Sequence, residues 1–99
     1  MPTESHLQKQ CIAAAKKSGA WAIKVKAVGR RGMPDLIVIF PGGVVAFVEL
    51  KTPTGVLSKL QIVFIRLLKK FGANAYVCAS IGEFNAVLQR HHREPAQAD

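Results

Sequence analysis

At 99 residues the chain holds one domain with a single, modest core. Hydrophobic residues make up 49% of it, which excludes an intrinsically disordered chain, and no apolar run approaches the length of a membrane span. The 14 Lys and Arg residues against 6 acids give a formal charge of +8, which favours a polyanionic partner such as nucleic acid.

Because acids are scarce, their positions are informative. Glu4, Asp35 and Glu49 stand in the body of the chain, whereas Glu83 falls in a helix first turn and Glu94 and Asp99 in the tail. Met1-Pro2-Thr3-Glu4 carries no charged-then-apolar leader, so an intracellular, cytoplasmic protein is expected. Cys11 and Cys78 lack metal-ligand spacing and read as free core thiols of a reducing compartment.

Thr3 caps a predicted helix from Glu4 to about Ser18, which Gly19 ends. Leu7, Cys11, Ala14 and Ala15 form its apolar stripe, and Glu4 lies on that same side, so its carboxylate turns inward. An acid in a first turn also complements the helix dipole, and that reading stands beside the inward one. In residues 20–28, Trp21, Ile23, Val25 and Ala27 alternate with Ala22, Lys24, Lys26 and Val28. The alternation predicts a strand with one core face and one partly basic face. The turn Gly29-Arg30-Arg31-Gly32 then carries two guanidinium groups suited to bidentate phosphate contacts.

The next stretch organises the rest. Leu36-Ile37-Val38-Ile39-Phe40 and Val44-Val45-Ala46-Phe47-Val48 are short, β-branched and aromatic, and Pro41-Gly42-Gly43 splits them as a hairpin loop would. With a three-residue loop, Phe40 faces Val44, Ile37 faces Phe47 and Asp35 faces Glu49. Residues two apart in a strand share a face, so Asp35, Glu49 and Lys51 point the same way. Two like charges directly opposed destabilise a sheet by up to about 1 kcal/mol, a cost that a cation between them removes. Two carboxylates completed by carbonyl and water oxygens suit Mg²⁺ or Mn²⁺, and Lys51 can neutralise a phosphate or hold the water that attacks it. The constellation predicts metal-assisted phosphodiester hydrolysis.

Thr52-Pro53-Thr54-Gly55 breaks the strand. Ser58-x-x-Gln61 is a capping box, with Leu57 and Ile62 placed as a staple, and predicts a helix from about Lys59 to Phe71. As a cap, Gln61 faces back along the helix start, a reading that competes with the one the family resemblance below implies for it. The helix is apolar on more than one face, leaving only Lys59, Arg66 and Lys70 as a polar stripe, which predicts a homodimer contact along part of it. Ala75-Tyr76-Val77-Cys78-Ala79 reads as a strand returning parallel to that of Glu49 by a right-handed crossover. Ile81, Phe84, Val87 and Leu88 mark a last amphipathic helix ending near His92 or Arg93. His91 and His92 diverge on a helix and read as solvated end residues or phosphate neighbours, not joint metal ligands. The organisation expected is one domain over residues 1–93 with a disordered tail at 94–99.

The ordered set Glu4, Gly32-Met33-Pro34-Asp35, Glu49-Leu50-Lys51 and Leu57-Ser58-Lys59-Leu60-Gln61 resembles the PD-(D/E)XK nucleases. More narrowly it resembles the VRR-NUC branch, from the first helix to about Ala79. That resemblance implies an α/β fold with a restriction-endonuclease-like mixed sheet flanked by helices, in the order α-β-β-β-α-β-α. It implies a Mg²⁺-dependent deoxyribonuclease, Mn²⁺ substituting, with Asp35, Glu49 and the Leu50 carbonyl on the metal. Glu4, Lys51 and Gln61 would complete the catalytic set, and Lys24, Lys26, Arg30, Arg31 and Lys59 are the candidate DNA contacts. The implied substrate is branched DNA of the Holliday-junction type, cut by a homodimer with no membrane association. Three alternatives share these residues: a flap or duplex-nicking nuclease, a restriction-type enzyme, and a non-catalytic basic DNA-binding module that has kept the fold. The last predicts salt-sensitive binding without cleavage.

Overall fold

A computed structural model describes residues 3–26 and 32–92 of the chain. Seven elements follow one another: α1 (Glu4–Ser18), β1 (Trp21–Lys24), β2 (Leu36–Ile39), β3 (Val45–Leu50), α2 (Lys59–Lys70), β4 (Asn74–Cys78) and α3 (Ile81–Arg90). The order is the expected α-β-β-β-α-β-α. Their ends obey local chemistry. The Thr3 side chain accepts from the His6 N–H at the start of α1, and Gly19 ends that helix at φ 93°, a left-handed conformation open to glycine at little cost. Ser58 and Ser80 cap α2 and α3.

The four strands form one sheet in the order β1-β2-β3-β4. β2 and β3 are antiparallel with Leu36 opposite Val48, Ile37 opposite Phe47 and Ile39 opposite Val45, the register the three-residue loop dictates. Phe40 closes the loop, donating to the Val44 carbonyl at 2.8 Å and accepting from Gly43 at 3.0 Å. β4 lies parallel to β3, and the chain between them runs through α2.

Even-numbered strand residues face α1 and α3. Leu36, Val38, Ala46, Val48 and Leu50 meet Leu7, Cys11, Ala15, Phe84 and Leu88 there, all buried in one core. Burial of each large side chain is worth about 1.5–3 kcal/mol, so this layer carries most of the fold's stability. Cys11 and Cys78 belong to it as free thiols, and burial pushes them up to about 12 and about 11. They are neutral core residues, as their spacing suggests.

Three expectations need correction. The strand predicted over residues 20–28 pairs only from Trp21 to Lys24, and Ala27 and Val28 lie outside the described residues. Trp21, expected in the core, is 65% exposed. It stands opposite Ile39 on the odd-numbered face; α1 covers the other face of β1, and α2 packs on β4 at the far edge of the sheet, leaving the Trp21 face of β1 uncovered. His91, expected in solvent, caps α3, and its ring lies 5.1 Å from that of Phe40 and edge-on to that of Tyr76, whose hydroxyl is hydrogen-bonded to Nε2. The end of α3 lands on the closed end of the hairpin, where an imidazole fills the gap between two aromatic rings. The tail at 94–99 lies outside the described residues.

Candidate active site

The site forms at the open end of the β2–β3 hairpin because the ladder stops there. Asp35 follows the buried Pro34 and precedes β2; its carbonyl accepts from the Val25 N–H at 2.9 Å, tying it toward β1. Its carboxylate turns to β3 and accepts from the Leu50 N–H through Oδ2 at 2.8 Å. A side chain thus takes a donor that a further residue pair of the ladder would otherwise use, and one carboxylate oxygen is held in place.

Glu49 is the one charged residue among the described residues to be buried, at 2% exposed. Its Oε1 accepts from Gln61 Nε2 at 3.0 Å. Oε2 is buried with no hydrogen-bond partner. An ionised carboxylate in that position is costly. Burial, then the close Asp35 carboxylate, then the charge of Glu4 push its carboxyl up to about 9.

Gln61 resolves its two competing readings by satisfying both. Its Oε1 accepts from the Ser58 N–H at 2.8 Å while the Ser58 hydroxyl accepts from the Gln61 N–H at 3.1 Å, the reciprocal capping box. A backbone N–H can only donate, so the amide oxygen must face Ser58 and the NH₂ group must face Glu49. The cap therefore sets which end of the amide reaches the acid. Gly32 brings this helix start close to the loop before Asp35: at φ 89°, a Cβ there would lie 2.6 Å from the Leu60 carbonyl oxygen. Only a glycine fits that approach.

Lys51 continues the β3–β4 ladder one residue past Leu50, its N–H donating to the Cys78 carbonyl at 3.0 Å. The pleat carried on by that bond places its side chain on the face of Glu49. Glu4 is exposed in the first turn of α1 and shares a cleft with Ser5, Gln8, Lys24, Asp35 and Leu50. Among the described residues no three His, Cys, Asp or Glu side chains gather closely enough to hold an ion by themselves, so Glu4 stands outside the Asp35–Glu49 pair.

The other expected contacts divide. Lys24 is exposed and lines the acid cleft, Lys26 and Lys59 are exposed, and Arg30 and Arg31 lie outside the described residues. Sequence reasoning missed Ser5 and Gln8, although Gln8 is one helical turn from Glu4 and so on its side. It also missed the amide of Leu50 as the anchor of Asp35, whose only advance sign was a proline ending the ladder at Pro34.

A mixed sheet flanked by helices, with paired carboxylates and a lysine at one strand end, defines a small α/β domain with an acid site at the open end of its hairpin. The sequence pattern of the VRR-NUC domain matches residues 2–81, and the chain belongs to that family. A solved structure described as a VRR_NUC domain is 31% identical with a TM-score of 0.80, covering 94% of this chain and 100% of its own. The protein named "Putative nuclease p44" of Acyrthosiphon pisum secondary endosymbiont phage 1 is 40% identical over 50 residues, 50% of this chain. That stretch spans 54% of the relative's own length, about half.

Proposed function

We propose that the chain is a metal-dependent deoxyribonuclease that hydrolyses phosphodiester bonds in branched DNA. The observation that carries this reading is Glu49: buried, oriented by Gln61 through one oxygen, close to Asp35, and left with a second buried oxygen that has no partner. Family membership and the name of the phage relative support the same class of activity.

The residues present fit Mg²⁺ or Mn²⁺. Asp35 uses one oxygen on the Leu50 amide and Glu49 uses one on Gln61, so each carboxylate keeps one for an ion, and the Leu50 carbonyl is the third proposed donor. One or two carboxylates with water and phosphate oxygens is the donor set Mg²⁺ takes. When bound, the ion supplies charge neutralisation and an acidified water.

The chain's own residues do the remaining work. Gln61 fixes the Glu49 carboxylate, and the Leu50 N–H fixes that of Asp35, so neither must reorganise as charge builds on the phosphate. Lys51 offers a cation on the same face, to hold the attacking water or meet the developing negative charge. Glu4, across the cleft, acts on this centre through water. Lys24, Lys26, Arg30, Arg31 and Lys59 are proposed to hold the phosphate backbone, a role in keeping with the net charge of +8.

The working unit is a homodimer. Leu60, Val63, Leu67 and Phe71 recur at three- and four-residue spacing along the exposed side of α2, and Trp21 adds to the apolar surface of the same sheet face. Two cleavage centres suit a four-way junction, where two strands are cut. Cleavage of duplex, flap and four-way junction substrates, with and without Mg²⁺ and beside Glu49→Ala, tests the proposal. Metal-dependent cutting fastest on the junction, absent in the variant, is expected. Salt-sensitive binding with no cleavage of any substrate would leave only a basic DNA-binding module.

A further inference from the structure

A second cavity lies beside the acid cleft, and α1 separates the two. Glu4, Ser5 and Gln8 project to one side of the helix and line the acid cleft; His6, Leu7 and Gln10 project to the other and line a cavity of about 350 Å³. Its opposite wall is Pro53, Ser80 and Ile81. Thr52 also borders it, one residue past Lys51, and Lys51 is bonded to Cys78, the residue before Ala79 on the same wall. The cavity therefore opens within one residue of the lysine proposed to meet the phosphate.

Its chemistry selects the ligand. Among the described residues no Lys or Arg lines it. At the start of α3, which borders it, the Glu83 N–H bonds Ser80 Oγ at 3.1 Å and the Ala79 N–H bonds Glu83 Oε1 at 3.0 Å, so a carboxylate stands against this wall. A phosphate would meet the Glu83 carboxylate there with no Lys or Arg of the described residues to hold it. A flat ring with polar edges would find apolar walls in Leu7, Pro53 and Ile81, an imidazole to stack on in His6, and an amide for its edge in Gln10. The volume lies within the range of small-ligand pockets.

We infer that this cavity takes one unstacked base of the bound DNA strand, next to the phosphate held at the acid site. The inference rests on the nuclease reading for the source of that base. An unpaired nucleotide near a branch point enters such a pocket at less cost than one inside a duplex, because its stacking is already reduced. The pocket would then favour branched over continuous DNA without reading sequence.

The test is a binding measurement on the full chain without divalent metal, using branched DNA in which a single abasic nucleotide is moved position by position away from the branch. Gln10→Trp fills the cavity and His6→Ala removes the stacking ring; both residues are exposed on α1, and a thermal melt checks that each variant folds. Loss of the base at one or two positions should weaken binding to the unaltered protein about 10-fold. Gln10→Trp should weaken binding to intact DNA by a similar factor, and His6→Ala by about 3-fold. Neither change should weaken binding further when the abasic nucleotide sits at the responding position. Equal losses on intact and abasic DNA would overturn the inference, as would full affinity in Gln10→Trp, which would leave the cavity to a protein side chain. Cleavage with Mg²⁺, read in parallel, separates the two proposals: cutting without the coupling overturns the base pocket alone, and coupling without cutting overturns the nuclease reading alone. A chain that binds no DNA overturns both.

Discussion

The two faces of the sheet are built to different ends. On the face toward α1 and α3, Leu36, Val38, Ala46 and Val48 are fully buried and meet side chains as tightly packed as themselves. On the face toward α2, Ile37, Ile39, Val45 and Phe47 are only half-buried, and Ile65 is the one buried residue of the helix. The same loosely covered face holds Glu49, the one buried acid among the described residues, at the hairpin's open end. One face stabilises the chain, and the other keeps a carboxyl group out of water and leaves apolar surface outside. Stability and chemistry are thus separable by mutation.

The largest effect should come from the acid end. Glu49→Ala removes a proposed ligand, the acceptor of Gln61 and the carboxylate opposite Asp35, and should cut the cleavage rate by about 10³-fold or more. Lys51→Ala should lose as much turnover yet retain metal binding, read as a Mg²⁺-induced rise in melting temperature. Normal cutting by Lys51→Ala would remove the lysine from the reaction.

Next in size is the contrast between two phenylalanines. Phe84 is fully buried in the α1–α3 layer and Phe71 is 80% exposed at the end of α2. Phe84→Ala should destabilise the fold by about 3–5 kcal/mol, and Phe71→Ala should change monomer stability by no more than about 0.5 kcal/mol. Urea unfolding at low protein concentration reads both, and equal losses would mean that α2 contributes to the core as fully as α3.

How far the sequence discloses this division depends on the range of each interaction. The hairpin register follows from a three-residue loop and a period of two, both local, so the opposition of Asp35 and Glu49 is legible in the order of residues alone. The caps at Thr3 and Ser58 are local too. Trp21 is not, because its exposure depends on where α2 docks, a contact between distant parts of the chain. His91 misleads for the same reason: its partners Phe40 and Tyr76 are brought to it by the fold. Gln61 shows the middle case. The motif supplies both of its readings, and only the approach of α2 to β3, helped by Gly32, shows that one amide serves both.

Glu49→Gln gives a smaller effect with a characteristic pH dependence. Burial, with Asp35 and Glu4 adding to it, raises the folded carboxyl to about 9 from an ordinary value of 4.5. Between those values the folded chain retains a proton that the unfolded chain has released, so the unfolded state binds fewer protons and stability falls as pH rises. Metal-free wild-type protein is therefore penalised at pH 7.5 and not at pH 4, by at most about 4 kcal/mol. Glu49→Gln should melt higher than wild type at pH 7.5 in a chelator, and the gap should close toward pH 4. Mg²⁺ should reverse the order at pH 7.5 by stabilising the ionised wild-type pair alone. A gap independent of pH would show that Glu49 is ionised in the metal-free fold.

The smallest expected change in monomer stability lies on the outer stripe of α2, and it tests the second face most directly. Val63 and Leu67 are 57% and 39% exposed, so replacing both with Asp removes little packing within one chain. At low concentration the double variant should unfold within about 0.5 kcal/mol of wild type. If the stripe joins two copies, wild-type melting temperature must rise with protein concentration by mass action, whereas that of the variant must not. Concentration-independent melting in both would assign the apolar stripe to some other partner and leave each acid site to act alone. Junction cleavage discriminates further: loss of paired cuts with single-strand nicking retained is the outcome that follows if the two faces divide the work as their packing indicates.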